Sequence, residues 1–395
     1  IDRKGTHAVK VERLPKGADK DSLSLWIADM DFACAEPILK ALHERIDRKI
    51  FGYTMYDADE CMDAVTGWMK KRYGWNESRE NLFFCPGVVA AYAALINLLT
   101  EPGDGIVLQR PIYYPFTNKA NSNGRIPVDN ALIYENGAYR IDFEDLDKKM
   151  ADPANKVLVV CSPHNPTGRV WEREEIEKAM EIYKANECVV ISDEIWSDLT
   201  LPGFKHIPTQ SVSKDARERT IALYAPSKTF NLAGLVGSYH IIYNRMLRDR
   251  VEKASSLSHY NSPNVLSVHA LIGAYRPEGY QWVDELREVL KSNADYAYNY
   301  ILEHFKGVKL SKPEGTYMLY LDCEEWCKEH DTDMDTLLKA GVAVGVRRRS
   351  AFGACRSAPP CGRAAAPGSS GTAPPRSHCR CKGCGVLLHL RRNTG

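Results

Sequence analysis

The chain has 395 residues and a net charge of +1, with 44% hydrophobic and 26% charged residues. These fractions are typical of a globular protein, and the length is enough for two or three domains with a large core. No apolar run reaches the roughly 18 residues of a membrane span, and no signal peptide is visible at the start. The sequence therefore predicts a protein that does not cross a membrane.

The charge is distributed unevenly. Residues 347–395 contain nine arginines and one lysine but no acidic residue, which leaves residues 1–346 with a net charge of −9. A mildly acidic body gives no reason to expect nucleic-acid binding. The seven cysteines before position 347 are scattered without disulfide-like spacing, and this pattern favours a reducing, cytoplasmic location.

Residues 1 to about 25 are polar and irregular, which indicates an N-terminal arm. Pro37 in a first helical turn predicts a helix to Ile46, and apolar spacing predicts a second amphipathic helix over Cys61–Tyr73, ending at Gly74. Phe83–Tyr92 then indicates a strand, a glycine turn and a helix. Backbone N–H groups at the start of such a helix can bind phosphate, although this stretch lacks a glycine-rich signature.

Three apolar runs that predict buried strands are each followed by a chemically useful side chain. Asn165 follows the run 157–161, Asp193 follows 189–191, and Lys228 follows 221–224. Taken singly, they could be a turn residue, a helix N-cap and a solvated lysine.

Together these side chains fit one cofactor. Lysine bonds covalently to the carbonyl of pyridoxal phosphate (PLP), a carboxylate keeps the pyridine nitrogen protonated, and an asparagine can hydrogen-bond the ring 3-oxygen. The alternation of strands and helices over 157–224, including an amphipathic helix over Glu172–Asn186, predicts a parallel sheet. Such sheets carry their sites at the strand ends.

The remaining elements are less informative about function. Gly105–Leu108 predicts another buried strand, and it leads to Tyr113 and Tyr114, which could equally be core aromatic residues. Residues 126–156 predict an edge hairpin or loop and a short helix near Leu146. Helical spacing returns over 263–306, and 315–321 indicates a strand.

Three segments, Ser162–Trp171, Ser192–Trp196 and Ala225–Asn231, resemble fold-type I PLP enzymes of the aminotransferase class I/II superfamily. They are most similar to the MalY/PatB group of cystathionine β-lyases and cysteine-S-conjugate β-lyases. The resemblance covers about residues 2–346. It implies an α/β fold with a central, mostly parallel sheet flanked by helices, plus a smaller α+β domain. The implied domains are an arm (1–35), a large PLP-binding domain (36–275) and a small domain (276–346).

The resemblance also implies roles for individual residues. Lys228 would bind PLP and act as the base, with Asp193 at the ring nitrogen, Asn165 at the ring oxygen and Tyr113 stacked on the ring. Tyr114 would lie close to the substrate, and the backbone of Val88 and Val89 would bind the phosphate. Ser227, beside Lys228, would contact the cofactor through its hydroxyl. Tyr53 would reach the phosphate in the site of a homodimer partner. Without the resemblance, Tyr53 would be expected in the core. Residues 24–32 would cross the mouth of the site.

Three departures from common aminotransferase residues favour a carbon–sulfur lyase. Val236 stands where most of these enzymes have a phosphate-binding arginine, Trp196 where many have tyrosine, and Ala225 where they often have serine. The predicted reaction cleaves cystathionine or cysteine S-conjugates to pyruvate, ammonia and a thiol. The alternatives are an amino-acid aminotransferase, a regulatory PLP-binding protein, or an inactive chain.

The tail, residues 347–395, departs from the family pattern. It lacks the expected Arg-Xaa-Asn-Leu element, whose arginine would bind the substrate carboxylate, and it shows no sustained periodicity before Val386. Its composition predicts disorder or a reading-frame change that replaces the end of the small domain; a basic appendage is the alternative. A single C-x2-C pair, Cys381 to Cys384, does not predict a metal site.

Overall fold

The computed structural model describes residues 2–13, 24–25, 27–258, 261–262, 264–334, 336 and 387–390. The helices are α1 Val9–Glu12, α2 Glu36–Ile46, α3 Asp59–Tyr73, α4 Val88–Leu99, α5 Tyr114–Ser122, α6 Phe143–Met150, α7 Arg173–Ala185, α8 Lys214–Arg219, α9 Pro226–Thr229, α10 Arg245–Ser258, α11 Val265–Ala274, α12 Pro277–His304 and α13 Glu324–Glu329. The strands are β1 Leu82–Cys85, β2 Gly105–Arg110, β3 Ile126–Ala131, β4 Ile133–Glu135, β5 Ala138–Arg140, β6 Asn155–Cys161, β7 Val189–Asp193, β8 Thr220–Tyr224, β9 Ser238–Ile242, β10 Lys309–Leu310, β11 Met318–Asp322 and β12 Leu387–Leu390.

The central sheet has seven strands in the order β1-β9-β8-β7-β6-β2-β3. Strands β8, β7, β6, β2 and β3 pair in parallel, whereas β9 is antiparallel to both of its neighbours. The expected α/β fold with a mostly parallel sheet is therefore confirmed. Because β6, β7 and β8 are parallel, the residues that follow them meet at one edge of the sheet.

Successive side chains along the strands contribute alternately to two apolar cores, one on each face of the sheet. Val157 and Val159 pack in a cluster with α4, while Leu158 and Val160 pack in another with α7. Successive strand side chains point to opposite faces, so a strand covered on both faces is apolar along its whole length. This pattern explains why the continuous apolar runs correctly predicted the buried strands.

A separate three-stranded sheet has the order β10-β11-β12, with β12 parallel to β11. Strand β12 lies in the tail, directly after Val386, where the stretch without sustained periodicity ends. The other tail residues, 347–386 and 391–395, lie outside the described residues. The stretch 126–156 contains the predicted short helix, α6, and a hairpin, β4–β5, but its first strand, β3, is the edge of the central sheet.

Candidate active site

A cavity of about 360 Å³ lies at the edge of the central sheet where β6 and β7 end. The side walls come from α9 and the first turn of α4. Eight of the nine residues predicted for the site line this cavity: Val88, Val89, Tyr113, Tyr114, Asn165, Asp193, Ser227 and Lys228. The parallel strands therefore bring together residues that are up to 140 positions apart in the sequence.

Lys228 lies in α9, directly after β8. Its amine donates a hydrogen bond to the Ala28 carbonyl oxygen at 3.1 Å and lies 5.7 Å from the centre of the Trp196 ring. Burial lowers the pKa of the Lys228 amine, while the negative charges of Asp29 and Asp193 act in the opposite direction. A lowered pKa favours the neutral amine, which is the form that attacks a carbonyl or accepts a proton.

Asp193 is the last residue of β7 and is only 3% exposed. One carboxylate oxygen, Oδ1, accepts a hydrogen bond from the Ile195 backbone N–H at 3.1 Å. Burial raises the pKa of the Asp193 carboxyl to about 7, although the Ile195 N–H and the Lys228 charge act to lower it. A positively charged group beside it would stabilise the ionised form.

Asn165 occupies the loop after β6 and is 4% exposed. This loop is fixed to β7 because the Ser162 N–H donates to the Asp193 carbonyl oxygen at 3.0 Å. The side-chain oxygen of Asn165, Oδ1, is buried and has no hydrogen-bond partner among the described residues. Buried polar atoms are almost always hydrogen-bonded, so this orphaned atom at the cavity wall indicates a place for a ligand.

The first turn of α4 faces the same cavity. Gly87 precedes the helix with φ +114°, a conformation that strongly favours glycine, and no side chain in the described part of the chain caps the helix. The N–H groups of Val88 and Val89 at this end cannot bond within the helix, and the helix dipole favours an anion there. This end of the cavity suits a phosphate group.

Tyr113 and Tyr114 stand side by side at the start of α5, with ring centroids 5.6 Å apart. Tyr113 is half-buried, and burial, with smaller contributions from the charges of Tyr114 and Asp193, raises its pKa. Tyr114 is 39% exposed at the cavity mouth. The structure thus buries Tyr113 more deeply in the cavity wall than Tyr114.

Tyr53 is the predicted site residue that does not line the cavity of its own chain. Its side chain is fully exposed, in a segment where Ile50 and Met55 are also largely exposed. The expectation without the family resemblance, that Tyr53 belongs to the core, is therefore wrong.

Two groups at the site were not predicted to act there. The Ala28 carbonyl accepts the hydrogen bond from Lys228. The family resemblance places the segment of Ala28 at the mouth of the site, but it does not single out this backbone group. Trp196 was noted only as a departure from the family, yet its ring lies over the lysine amine. Its apolar character beside Asp193 is a signal that could have placed it in the cavity wall.

The comparisons with known proteins identify the family of this chain. The family model described as aminotransferase class I and II matches residues 20–372. The cystathionine β-lyase PatB of Bacillus subtilis is 39% identical over 87% of this chain and 88% of its own length. The protein MalY of Escherichia coli is 32% identical over 82% of each chain.

A solved structure, the PLP-bound C–S lyase of Staphylococcus hominis, is also similar. It has 34% identity and a TM-score of 0.80, and the match covers 87% of this chain and 86% of that chain. The predicted resemblance is confirmed, and this chain belongs to the aminotransferase class I and II family.

Proposed function

We propose that this protein is a PLP-dependent carbon–sulfur β-lyase that cleaves cystathionine or a cysteine S-conjugate to pyruvate, ammonia and a thiol. The observation that carries the proposal is the convergence of Lys228, Asp193 and Asn165 on one cavity. The relatives of this chain include proteins named cystathionine β-lyase, and a similar solved structure is a PLP-bound C–S lyase.

The residues present fit PLP. The orphaned Asn165 oxygen marks a position for a polar ring substituent, the start of α4 suits the phosphate, and Ser227 lines the same cavity. Asp193 would hold the ring nitrogen, and its ionised form would be favoured by a protonated nitrogen there. Lys228 would hold the cofactor covalently. When bound, PLP supplies an electron sink that makes the substrate Cα proton acidic.

The chain's own residues then divide the proton transfers. The Lys228 amine, once released, removes the proton from the substrate Cα, a role that its lowered pKa favours. The Cβ–S bond breaks, and sulfur leaves with the electron pair and takes up a proton. Water hydrolyses the remaining three-carbon fragment to pyruvate and ammonia. Tyr113 would lie against the ring, and the Tyr114 hydroxyl at the mouth would deliver the proton at or near sulfur.

We further propose that the protein works as a homodimer in which Tyr53 binds the phosphate in the partner's site. The support is the exposed apolar segment around it, where Ile50 is 71% and Phe51 is 56% exposed. Exposed apolar side chains that are neighbours along the chain are a feature of surfaces that become buried in assemblies. The fully exposed ring of Tyr53 would then gain a function that it lacks within its own chain.

A cytoplasmic location is also part of the proposal. The seven cysteines of the described residues are free thiols, as expected in a reducing compartment. Among those same residues, no helix is both long and apolar enough to cross a membrane.

The direct experiment is an absorbance spectrum of the protein purified with PLP, followed by assay of pyruvate after addition of cystathionine or S-methylcysteine. A band of lysine-bound PLP and stoichiometric release of pyruvate and thiol are expected. A band with no pyruvate from either substrate contradicts the lyase proposal. An amino-acid-dependent conversion to the pyridoxamine form, reversed by a keto acid, would instead indicate a transaminase.

A further inference from the structure

Behind the cavity wall, the carboxylate of Asp198 joins three separate parts of the chain. Asp198 lies in the short 3-10 helix Ser197–Leu199 and is 5% exposed. Its Oδ2 atom accepts a hydrogen bond from the Thr229 hydroxyl at 2.9 Å. Its Oδ1 atom accepts from the Trp68 indole N–H at 3.1 Å and from the Tyr73 hydroxyl. We call these four residues, Trp68, Tyr73, Asp198 and Thr229, the Asp198 cluster.

The charge of Asp198 is compensated within the fold. Arg72 Nε lies 3.7 Å from Oδ1, and the same guanidinium pairs at 2.7 Å with Asp284 of α12. A buried carboxylate is costly unless donors and an opposite charge surround it. With three donors and an arginine, Asp198 is a rigid acceptor held by α3.

The cluster contacts the turn that carries the proposed catalytic lysine. Thr229 directly follows Lys228, and α9 has only four residues, too few to fix its orientation by its own hydrogen bonds. Thr229 is completely buried, so its hydroxyl has no water to replace Asp198. The next residue, Phe230, packs on Trp68 with ring centroids 5.7 Å apart. Two consecutive residues after the lysine are therefore anchored to α3 and Asp198.

The negative charges of Asp29 and Asp193 act to raise the pKa of the Lys228 amine. The contact of Asp198 is instead with the neighbouring side chain, so what it sets is the position of the turn. The other end of the lysine is fixed by the 3.1 Å hydrogen bond to the Ala28 carbonyl.

We propose that Asp198, acting through the Thr229 hydroxyl, is a positioning residue that holds the Lys228 amine at its working place in the cavity. The inference deepens the proposed function and rests on it for the chemical role of that amine. Loss of the Thr229 hydrogen bond lets α9 turn, which changes both the approach of the amine to its reaction partner and its surroundings.

The test compares three variants. Thr229→Val removes the hydroxyl and keeps the branched shape, while Thr229→Ser keeps the hydroxyl and removes the methyl group. The matched control is Thr100→Val, because the Thr100 side chain is also buried and accepts a charged hydrogen bond from Arg125 at 3.0 Å. Thr100 follows the last turn of α4, about 18 Å from the end that faces the cavity.

Two readouts do not depend on turnover. One is the pH midpoint of the absorbance band of lysine-bound PLP in the loaded protein. The other is the rate at which cyanate modifies Lys228 relative to exposed Lys178 in the protein without cofactor, measured by peptide mass spectrometry. For Thr229→Val we expect a midpoint shift of about half a pH unit and a change of about threefold in the labelling ratio.

Kinetics complete the comparison. In Thr229→Val, kcat should fall about tenfold with little change in KM, since displacement of a reacting group affects the chemical step. Thr229→Ser and Thr100→Val should keep the wild-type midpoint and labelling ratio. A Thr229→Val protein with the wild-type pH midpoint and the wild-type labelling ratio overturns the proposal, even if it is less stable. If the wild-type protein releases no pyruvate, the lyase proposal fails, but the labelling ratio still decides the positioning role.

Discussion

The side-chain amide of Asn231 bonds both polar backbone groups of Met30. Oδ1 accepts from the Met30 N–H at 3.0 Å, and Nδ2 donates to the Met30 carbonyl at 2.8 Å. Asn231 is three residues after Lys228, and Met30 is two residues after Ala28. This pair therefore ties the lysine turn to the segment whose Ala28 carbonyl receives the lysine amine.

Replacing Asn231 with aspartate should weaken this connection. Asn231→Asp keeps the size of the side chain and its tolerance of φ +60°, but it substitutes a carboxylate oxygen for the donor that faces the Met30 carbonyl. We expect the free energy of unfolding to fall by about 1–3 kcal/mol in urea titrations. The control is Asn136→Asp in the exposed turn between β4 and β5, where φ is +50°. Equal losses in both variants would contradict a specific role for the Met30 contacts.

Removing the amine of Lys228 should abolish covalent attachment of PLP. After borohydride reduction, mass spectrometry should find the cofactor on the wild-type peptide and none on Lys228→Ala. Activity should fall by about three orders of magnitude, the scale of losing a general acid–base group. Lys178→Ala, an exposed lysine on α7, should change neither result. Cofactor attached to another lysine at the wild-type level would rule out the assignment.

Asp193 should make stability depend on pH when PLP is removed. Its native pKa, about 7, lies above the ordinary 3.8, so the native protein holds a proton that the unfolded chain has lost. The contribution to stability is fully present below about pH 4 and is lost as the pH rises through about 7. The free energy of unfolding, wild type minus Asp193→Asn, should fall by about 1.4 kcal/mol per pH unit between these limits.

Adding PLP should flatten this dependence, because a protonated ring nitrogen beside Asp193 favours the carboxylate. The measurement is a series of denaturant titrations with and without PLP at several pH values. Parallel curves for wild type and Asp193→Asn without cofactor would show that the Asp193 carboxyl ionises normally.

The sequence predicted those parts of the fold that depend on local pattern. The strands β6, β7 and β8 are covered on both faces, so their apolar runs are continuous and their burial can be recognised in the sequence. Because the three strands are parallel, the side chains that follow them lie at one edge of the sheet. The antiparallel strand β9 and the helix α10 were not predicted. Strand β9 pairs with β8 and β1, and the direction of such pairing is decided by the chain's route rather than by the strand's composition.

The contacts that orient the site could not be predicted from the sequence for the same reason, because they also depend on the route of the chain. The Trp68–Asp198 hydrogen bond joins residues 130 positions apart, and the Lys228–Ala28 bond joins residues 200 apart. An aspartate near the start of a short helix resembles any capping residue in the sequence. Only the assembled fold shows that Asp198 turns inward toward Thr229.

The proposed exchange of Tyr53 between subunits can be tested by mixing two inactive proteins. Lys228→Ala lacks the reacting amine but keeps Tyr53. Tyr53→Ala keeps the amine but lacks the tyrosine that is proposed to bind the partner's phosphate. In a homodimer with shared sites, random reassociation makes about half of the dimers mixed, and each has one complete site. At a PLP concentration that fills wild-type sites but not those of the Tyr53→Ala homodimer, activity should therefore recover to about a quarter of the wild-type value. Denaturing and refolding the two variants together, with each refolded alone as a control, gives the comparison. A mixture no more active than the sum of its parts would mean that Tyr53 does not complete a partner's site.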